Sequence, residues 1–439
     1  MTRQTTIWIR LASLAALAGL VSGCSSLGAI NPFSEREEIL PGERYDVLVV
    51  DEANRADGSP SIGAASNSDW PQPGGNAANA PGHLALAGNA SATAFRARVY
   101  GSGKRVARAS APPIVTGGRI FAYDADATVT ALSTGGGKAW AVSLKPEGEK
   151  SRSPGGGVTS AGNVILAATG YGELVALDPA TGGRVWTYDL RAPARSAPTA
   201  AGGKAYVVTQ TNVLHAVNLA DGTEAWSYPG IPENAGVLSG ASPAVVGNTV
   251  IVPYSSGEVI AFNADKGELQ WADAVIRSTR TLAVSGLTDV AASPVVYDGV
   301  VYATGVSGRT IAVSLRTGDR IWEQNIGAAA TPVVSGNAIF LVDLQDNMVA
   351  LDRRTGQPFW QTAMPVVRKK RFFSTWVGPV LAGGTLWAVS NDKKLIGVDP
   401  ASGQITAERS IPDRGVQSPI AAGGRLYIVT ADGSLTALQ

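Results

Sequence analysis

The sequence predicts an all-β protein, an eight-bladed β-propeller of four-stranded antiparallel blades, its ring closed by an N-terminal strand. Three observations carry this. The first is a recurring turn. Ala176-Leu177-Asp178-Pro179-Ala180-Thr181-Gly182-Gly183-Arg184-Val185-Trp186 alternates apolar and polar residues, breaks at Pro, Thr and Gly, and resumes on a large ring, as two strands joined by a tight turn do. Ala, Asp, Thr, Gly and Trp return at the same offsets from Ala350 to Trp360. Ala, Gly and Trp return from Ala216 to Trp226, Ala261 to Trp271 and Ala312 to Trp322; Ala131 to Trp140 is one residue short, and Gly397 to Ala407 keeps Gly403 but not the Trp. The second is a small-Pro-apolar-x-x-Gly-x-x-apolar-aromatic signature ahead of each turn, as in Ser293-Pro294-Val295-Val296-Tyr297-Asp298-Gly299-Val300-Val301-Tyr302, with equivalents at Pro112, Pro198, Pro243, Pro332, Pro379 and Pro419. The third is the period: five intervals cover the 220 residues from Trp140 to Trp360, a mean of 44. A repeat of about 40–45 residues holding four short strands is a propeller blade, and a unit that small must be covered by its neighbours.

Taken in order, residues 1–23 read as an export signal. Arg3 and Arg10 bracket a polar start, and Leu11 to Val21 is small and apolar, too short for the roughly 20 residues of a spanning helix. Leu20-Val21-Ser22-Gly23-Cys24 resembles the bacterial lipobox, which makes Cys24 the lipidation site. Anchoring by two or more acyl chains is stable at about 0.8 kcal/mol per buried methylene. Ser25, where some bacteria place an inner-membrane retention Asp, points to the outer membrane. Residues 24–92 are rich in Ser, Asn, Ala, Gly and Pro without a sustained period, and read as a lipidated flexible tether. Within it, Ile39-Leu40 and Tyr45 to Val50 form an apolar island, either a docking strand or an isolated patch.

The propeller is expected over residues 93–439. Seven units run to Ile411; the eighth starts at Gln417-Ser418-Pro419 and stops at Gln439 before its last strand. Thr93 to Tyr100 alternates correctly and belongs to no other unit, so it is assigned as the missing strand. Such closure leaves no open seam.

Composition narrows the chemistry. The net charge of +1 provides no field for nucleic acid. Cys24 is the only cysteine, which excludes an intramolecular disulfide, a thiolate cage or a redox pair. The two histidines, His83 and His215, lack metal-ligand spacing, and no catalytic residues, metal or cofactor are assigned. His215 takes the place of Val175, Ile260 and Val349, a structural strand position. Asp124, Asp126, Asp221, Asp343 and Asp346 fall at turns, where a carboxylate bonds nearby backbone. Trp140, Trp186, Trp226, Trp271, Trp322 and Trp360 are repeat-equivalent and read as inter-blade packing with satisfied N–H groups. Arg368-Lys369-Lys370-Arg371-Phe372-Phe373 is either a solvated loop or a contact for an acidic partner or anionic headgroups. Longer connections lead into the fourth blade (Ile231 to Gly240) and the fifth (Ile276 to Val290), where a propeller places recognition.

The Ala-x-Asp-x-x-Thr-Gly-x-x-x-Trp repeat is that of quinoprotein-type propellers. With the lipobox, the eight-blade count and Ser285-Gly286-Leu287-Thr288-Asp289-Val290 ahead of Ser293-Pro294, the chain resembles the BamB family, propeller lipoproteins of the outer-membrane β-barrel assembly machine. The resemblance implies a non-enzymatic scaffold at the outer membrane, facing the periplasm, that binds POTRA domains of BamA and assists barrel insertion, with unfolded outer-membrane precursors as further partners. It places the partner site at Val237, Leu238, Ser239, Asp289 and Val290, where Leu238 and Asp289 match a family leucine and aspartate. Ser239 and Ala291 depart from a family arginine and acid. Two alternatives remain: a propeller lipoprotein that binds cell-wall glycan or senses a ligand, and a quinone-dependent dehydrogenase, which lacks its paired cysteines and cofactor-site insertions here.

Overall fold

The repeated turn becomes the outer half of a blade. In the first, Ile114–Thr116, Arg119–Tyr123, Thr128–Ser133 and Lys138–Ser143 pair in sequence order as one antiparallel sheet. The computed structural model describes residues 54–100, 111–232, 241–275, 289–369 and 372–439. The described residues all lie in one compact unit, Val50–Gln439. The same four-strand order returns in blades two to seven, at 156–189, 199–229, 244–274, 295–324, 333–363 and 376–410. In the eighth, Ile420–Ala422, Arg425–Val429 and Ser434–Leu438 take their outer strand from Thr93–Arg98, which runs antiparallel with Thr93 opposite Leu438 and Arg98 opposite Ser434. The fold is an eight-bladed propeller closed by its N-terminal strand.

The core lies between blades rather than within them. Ile114, Phe121 and Val129 of the first blade cluster with Val158, Ile165 and Val175 of the second, and the pattern repeats around the ring until Trp387 and Val389 of the seventh, Ile428 and Leu435 of the eighth, and Ile120 and Leu132 of the first share one cluster. Alternation within a strand supplies one apolar face to each neighbour.

The turn motif interlocks adjacent blades. Within a blade the Ala stands opposite the Trp, as Ala176 does to Trp186 and Ala216 to Trp226, and the register shifts immediately beyond. The small residue makes room for the large ring. Asp178 Oδ1 accepts hydrogen bonds from the Ala180 and Thr181 N–H groups and the Thr181 hydroxyl, fixing the turn. Gly182 sits at φ +78°, and a Cβ there would lie 2.7 Å from the ring of Trp140 in the preceding blade. Trp140 Nε1 donates to Pro179 O at 3.1 Å, and Trp186, Trp226, Trp271, Trp322 and Trp360 donate likewise to Leu219, Ala264, Leu315, Arg353 and Pro400 of the next blade at 2.9–3.0 Å.

Antiparallel order gives the ring two distinct faces. Turns joining first to second and third to fourth strands share one end, the turn face. Turns joining second to third strands share the other with the links between blades, the connection face.

The expected flexible tether is corrected over its described part. From Ala56, whose N–H donates to Pro358 O at 3.0 Å, to Ala92, paired with Gln439, the chain is hydrogen-bonded to the ring along the turn face. Trp70 and Leu84 are buried in the core shared by blades seven, eight and one. Composition alone reads such a segment as a linker because it lacks a strand or helix period. Its backbone groups are satisfied by the inner strands of other blades instead of by its own neighbours.

Candidate partner-binding face

Of the residues read as a partner site, Asp289 and Val290 lie on the chain that enters the fifth blade from the connection face. Val237, Leu238 and Ser239 lie outside the described residues; their connection leaves the third blade at Ile231-Pro232, with Ile231 exposed, and re-enters at Ala241. Asp289 and Val290 are described, and both are fully buried.

Asp289, expected in the partner site, is internal and not open to a partner. Its carboxylate pairs with Arg195 Nη2, which also reaches Val290 O at 3.4 Å. Arg195 belongs to the connection into the third blade, so the pair ties that connection to the one entering the fifth. Burial pulls the guanidinium pKa down, while Asp289 pushes it up. Among the described residues Arg195 Nε and Nη1 find no hydrogen-bond partner. A buried pair of this kind fixes geometry more than it adds stability, and losing one partner strands the other charge. The sequence did hold a signal. Three residues before the blade-opening proline stand Ala109, Gly240, Ala291, Ala329, Trp376 and Val416 elsewhere, and Arg195 is the charged exception.

These connections surround an axial cavity of about 160 Å³, lined by Arg195, Ser196, Ser242, Ser293, Thr331 and Gln417 and closed toward the turn face by Pro73 and Gly74. The small residue of the blade-opening motif stitches the wall. Ser242 Oγ donates to Ala197 O at 2.9 Å, the Ser242 N–H donates to Ser293 Oγ at 3.0 Å, and the Ser293 N–H to Thr331 Oγ1 at 3.1 Å. Thr199 Oγ1 donates to Pro243 O at 2.7 Å. Among the described lining residues Arg195 is the only ionisable side chain, and Asp289 already engages it. Such a wall can hold a shape; it offers no acid–base pair for chemistry.

The remaining candidates are structural in their geometry. Asp124 Oδ1 accepts from the Asp126 and Thr128 N–H groups, Asp343 Oδ1 from Gln345 and Asn347, and Asp221 Oδ1 from Thr223. Among the described residues no three His, Cys, Asp or Glu side chains gather as a metal site. His215 is buried on the third strand of the third blade, its Nδ1 3.2 Å from the Tyr188 hydroxyl and 3.5 Å from Glu224 Oε2. The hydroxyl donates to Glu224. Burial lowers the His215 pKa. The basic run lies on the connection between blades six and seven, where Arg368–Lys369 pairs with Phe372–Phe373 as a short hairpin. Cys24 lies outside the described residues.

A family model described as outer membrane protein assembly factor BamB matches residues 125–362 and 346–439. BamB of Yersinia pestis is 28% identical over 222 residues, which is 49% of this chain and 56% of that protein; the chain thus spans little more than half the length of that relative. The solved BamB of Moraxella catarrhalis superposes with a TM-score of 0.68 at 21% identity, covering 79% of this chain and 99% of the other. A quinohemoprotein alcohol dehydrogenase from Comamonas testosteroni gives a TM-score of 0.62 at 14% identity, over 85% and 81%. At these identities the structural likeness is one of fold. The match of the family model to most of the ring is of another kind, and by it the chain belongs to the family of the outer membrane protein assembly factor BamB.

Proposed function

We propose that the chain is a non-enzymatic scaffold lipoprotein of outer-membrane β-barrel assembly. In this reading the Cys24 lipid holds it in the outer membrane, and the propeller faces the periplasm. The connections into blades four and five bind the POTRA domains of BamA, and the chain thereby assists folding and insertion of barrel precursors. Membership of the BamB family is the observation that carries the reading. The geometry supports it in two ways: the described residues lining the axial cavity offer no catalytic set, and the described strands leave and enter every blade-to-blade link at one face of the ring. Val237 and Leu238 supply apolar anchor, while the Arg195–Asp289 pair ties the chain entering blade three to the chain entering blade five.

Solubilised native membranes test this. A tagged chain is expected to co-purify with BamA, and Cys24→Ser is expected to release the protein into the soluble fraction at high salt. A chain that purifies without any barrel-assembly partner would remove the scaffold reading, leaving the glycan-binding or sensing alternative.

A further inference from the structure

Residues 56–92 touch every blade of the ring. Trp70 and Val115 exchange backbone hydrogen bonds at 2.8 Å on the first blade, and the Ser160 N–H of the second donates to Pro71 O at 2.8 Å. Gln72 makes a two-pronged contact with the third, its Nε2 donating to Ala200 O at 2.9 Å and its Oε1 accepting from the Ala200 N–H at 3.1 Å. Val245 of the fourth donates to Ala77 O and Val296 of the fifth to Ala78 O, at 2.7 and 2.9 Å. Ser61 and Gly63 donate to Asn337 and Ser335 of the sixth. Leu84 pairs with Leu381 and Gly383 of the seventh, and Ala87 donates to Gly424 of the eighth.

The segment is shaped for this path. Asn79, buried at φ 54°, sends Nδ2 to Pro243 O at 3.2 Å and to Pro294 O at 3.0 Å, so one amide spans two blades. Asn76 holds the bend, its Oδ1 accepting from the Ala78 and Ala80 N–H groups and its Nδ2 donating to Ala80 O. Gly74 packs where a Cβ would lie 2.1 Å from Asn79 Oδ1. His83 Nε2 accepts from the Gly384 N–H at 2.8 Å while Nδ1 reaches Gly63 O at 2.9 Å, latching the strap's two limbs to each other and to the seventh blade. Pro73 and Gly74 form the floor of the axial cavity.

We propose that the turn face is a binding site for an extended Pro/Gly-rich polypeptide carrying Trp-Pro-Gln, built jointly by all eight blades. Its occupant is the chain's own residues 56–92. The segment works as a strap: it stoppers the axial channel and withdraws the turn face from docking, leaving the connection face and blade edges to other proteins. Main-chain pairing supplies the affinity, and the Trp70, Gln72 and Asn79 positions supply the register.

A cleavage experiment on the folded, full-length protein tests this. A site-specific protease sequence is placed at the exposed Gly88-Asn89 bend, and the protein is cut under native conditions. The N-terminal fragment is expected to stay with the ring through size-exclusion chromatography, with a melting temperature within a few degrees of the uncut protein. Combined Trp70→Ala, Gln72→Ala and Asn79→Ala substitutions are expected to release the fragment on cutting and to lower melting by roughly 10 °C or more. Release of the unsubstituted fragment on cutting would overturn the proposal. So would retention of the triply substituted fragment with an unchanged melting curve.

Discussion

Trp226 combines three contacts: Ala216 opposite it in its own blade, Gly267 beneath it in the next, and a hydrogen bond to Ala264 O at 3.0 Å. Trp226→Ala removes all three and leaves a cavity at a seam, so it should cost about 3–5 kcal/mol, read as a lower urea midpoint with an unchanged slope. Gly222→Ala attacks the equivalent lock one seam earlier, because φ is +74° and a Cβ would lie 2.6 Å from the Trp186 ring. His215 gives a separate prediction. Burial lowers its pKa against the opposing pull of Glu224, with Tyr188, Arg191 and Asp189 nearby, so the folded ring favours the neutral form. The unfolded chain takes up a proton near pH 6.5 that the folded chain resists, so stability should fall as pH drops through and below that value. His215→Val, the residue of two sister blades, should flatten this dependence. Denaturation at pH 7.5 and 5.0 checks it; an equal pH loss in both proteins would contradict the assignment.

The closing strand shows what a local pattern can and cannot reveal. Thr93-Ala94-Phe95 runs like Lys138-Ala139-Trp140, and Phe95 does the Trp's work at the last seam. A Cβ on Gly136 of the first blade would lie 2.5 Å from the Phe95 ring, and Phe95 lies 6.5 Å from Tyr427 as Trp140 lies 5.8 Å from Phe121. Phe95→Ala should therefore destabilise the ring by about 3 kcal/mol or more. Arg96→Ala, which removes an exposed ion pair with Asp432, should cost no more than about 1 kcal/mol. Thermal melts of the two variants separate these effects, and equal losses would contradict closure by aromatic packing. The blades were legible because each turn repeats the same short-range chemistry. Strand closure was legible because one strand was missing and one was left over. The strap was not: Gln72 meets Ala200 and Asn79 meets Pro294 through folds of chain far apart in sequence, and no period announces them. The Arg195–Asp289 pair was hidden for the same reason, since its two members lie on connections two blades apart.

At the scale of the whole molecule, the ring is a rigid body with two unlike faces. The strap occupies the turn face, while the described ends of the links between blades, the short hairpin between blades six and seven among them, lie at the other. A scaffold needs this asymmetry, since it must present one surface and protect the rest. An apolar anchor in a docked interface is worth about 2 kcal/mol or more on truncation, and a rim charge much less. Asp289→Ala should now act differently from a rim charge. By stranding Arg195 in the interior it should lower the stability of the free protein, visible in its melt, as well as weaken binding. The most direct test is a titration of the purified chain with the periplasmic POTRA domains of BamA, comparing wild type, Leu238→Asp and a variant with Arg368, Lys369, Lys370 and Arg371 all changed to Ser. Each protein is first confirmed folded by circular dichroism. Saturable binding by wild type, its loss in Leu238→Asp and its retention in the serine variant are the predicted results. Loss in the serine variant with full binding by Leu238→Asp would place the interface elsewhere on the connection face, and no binding by wild type would contradict the scaffold account itself.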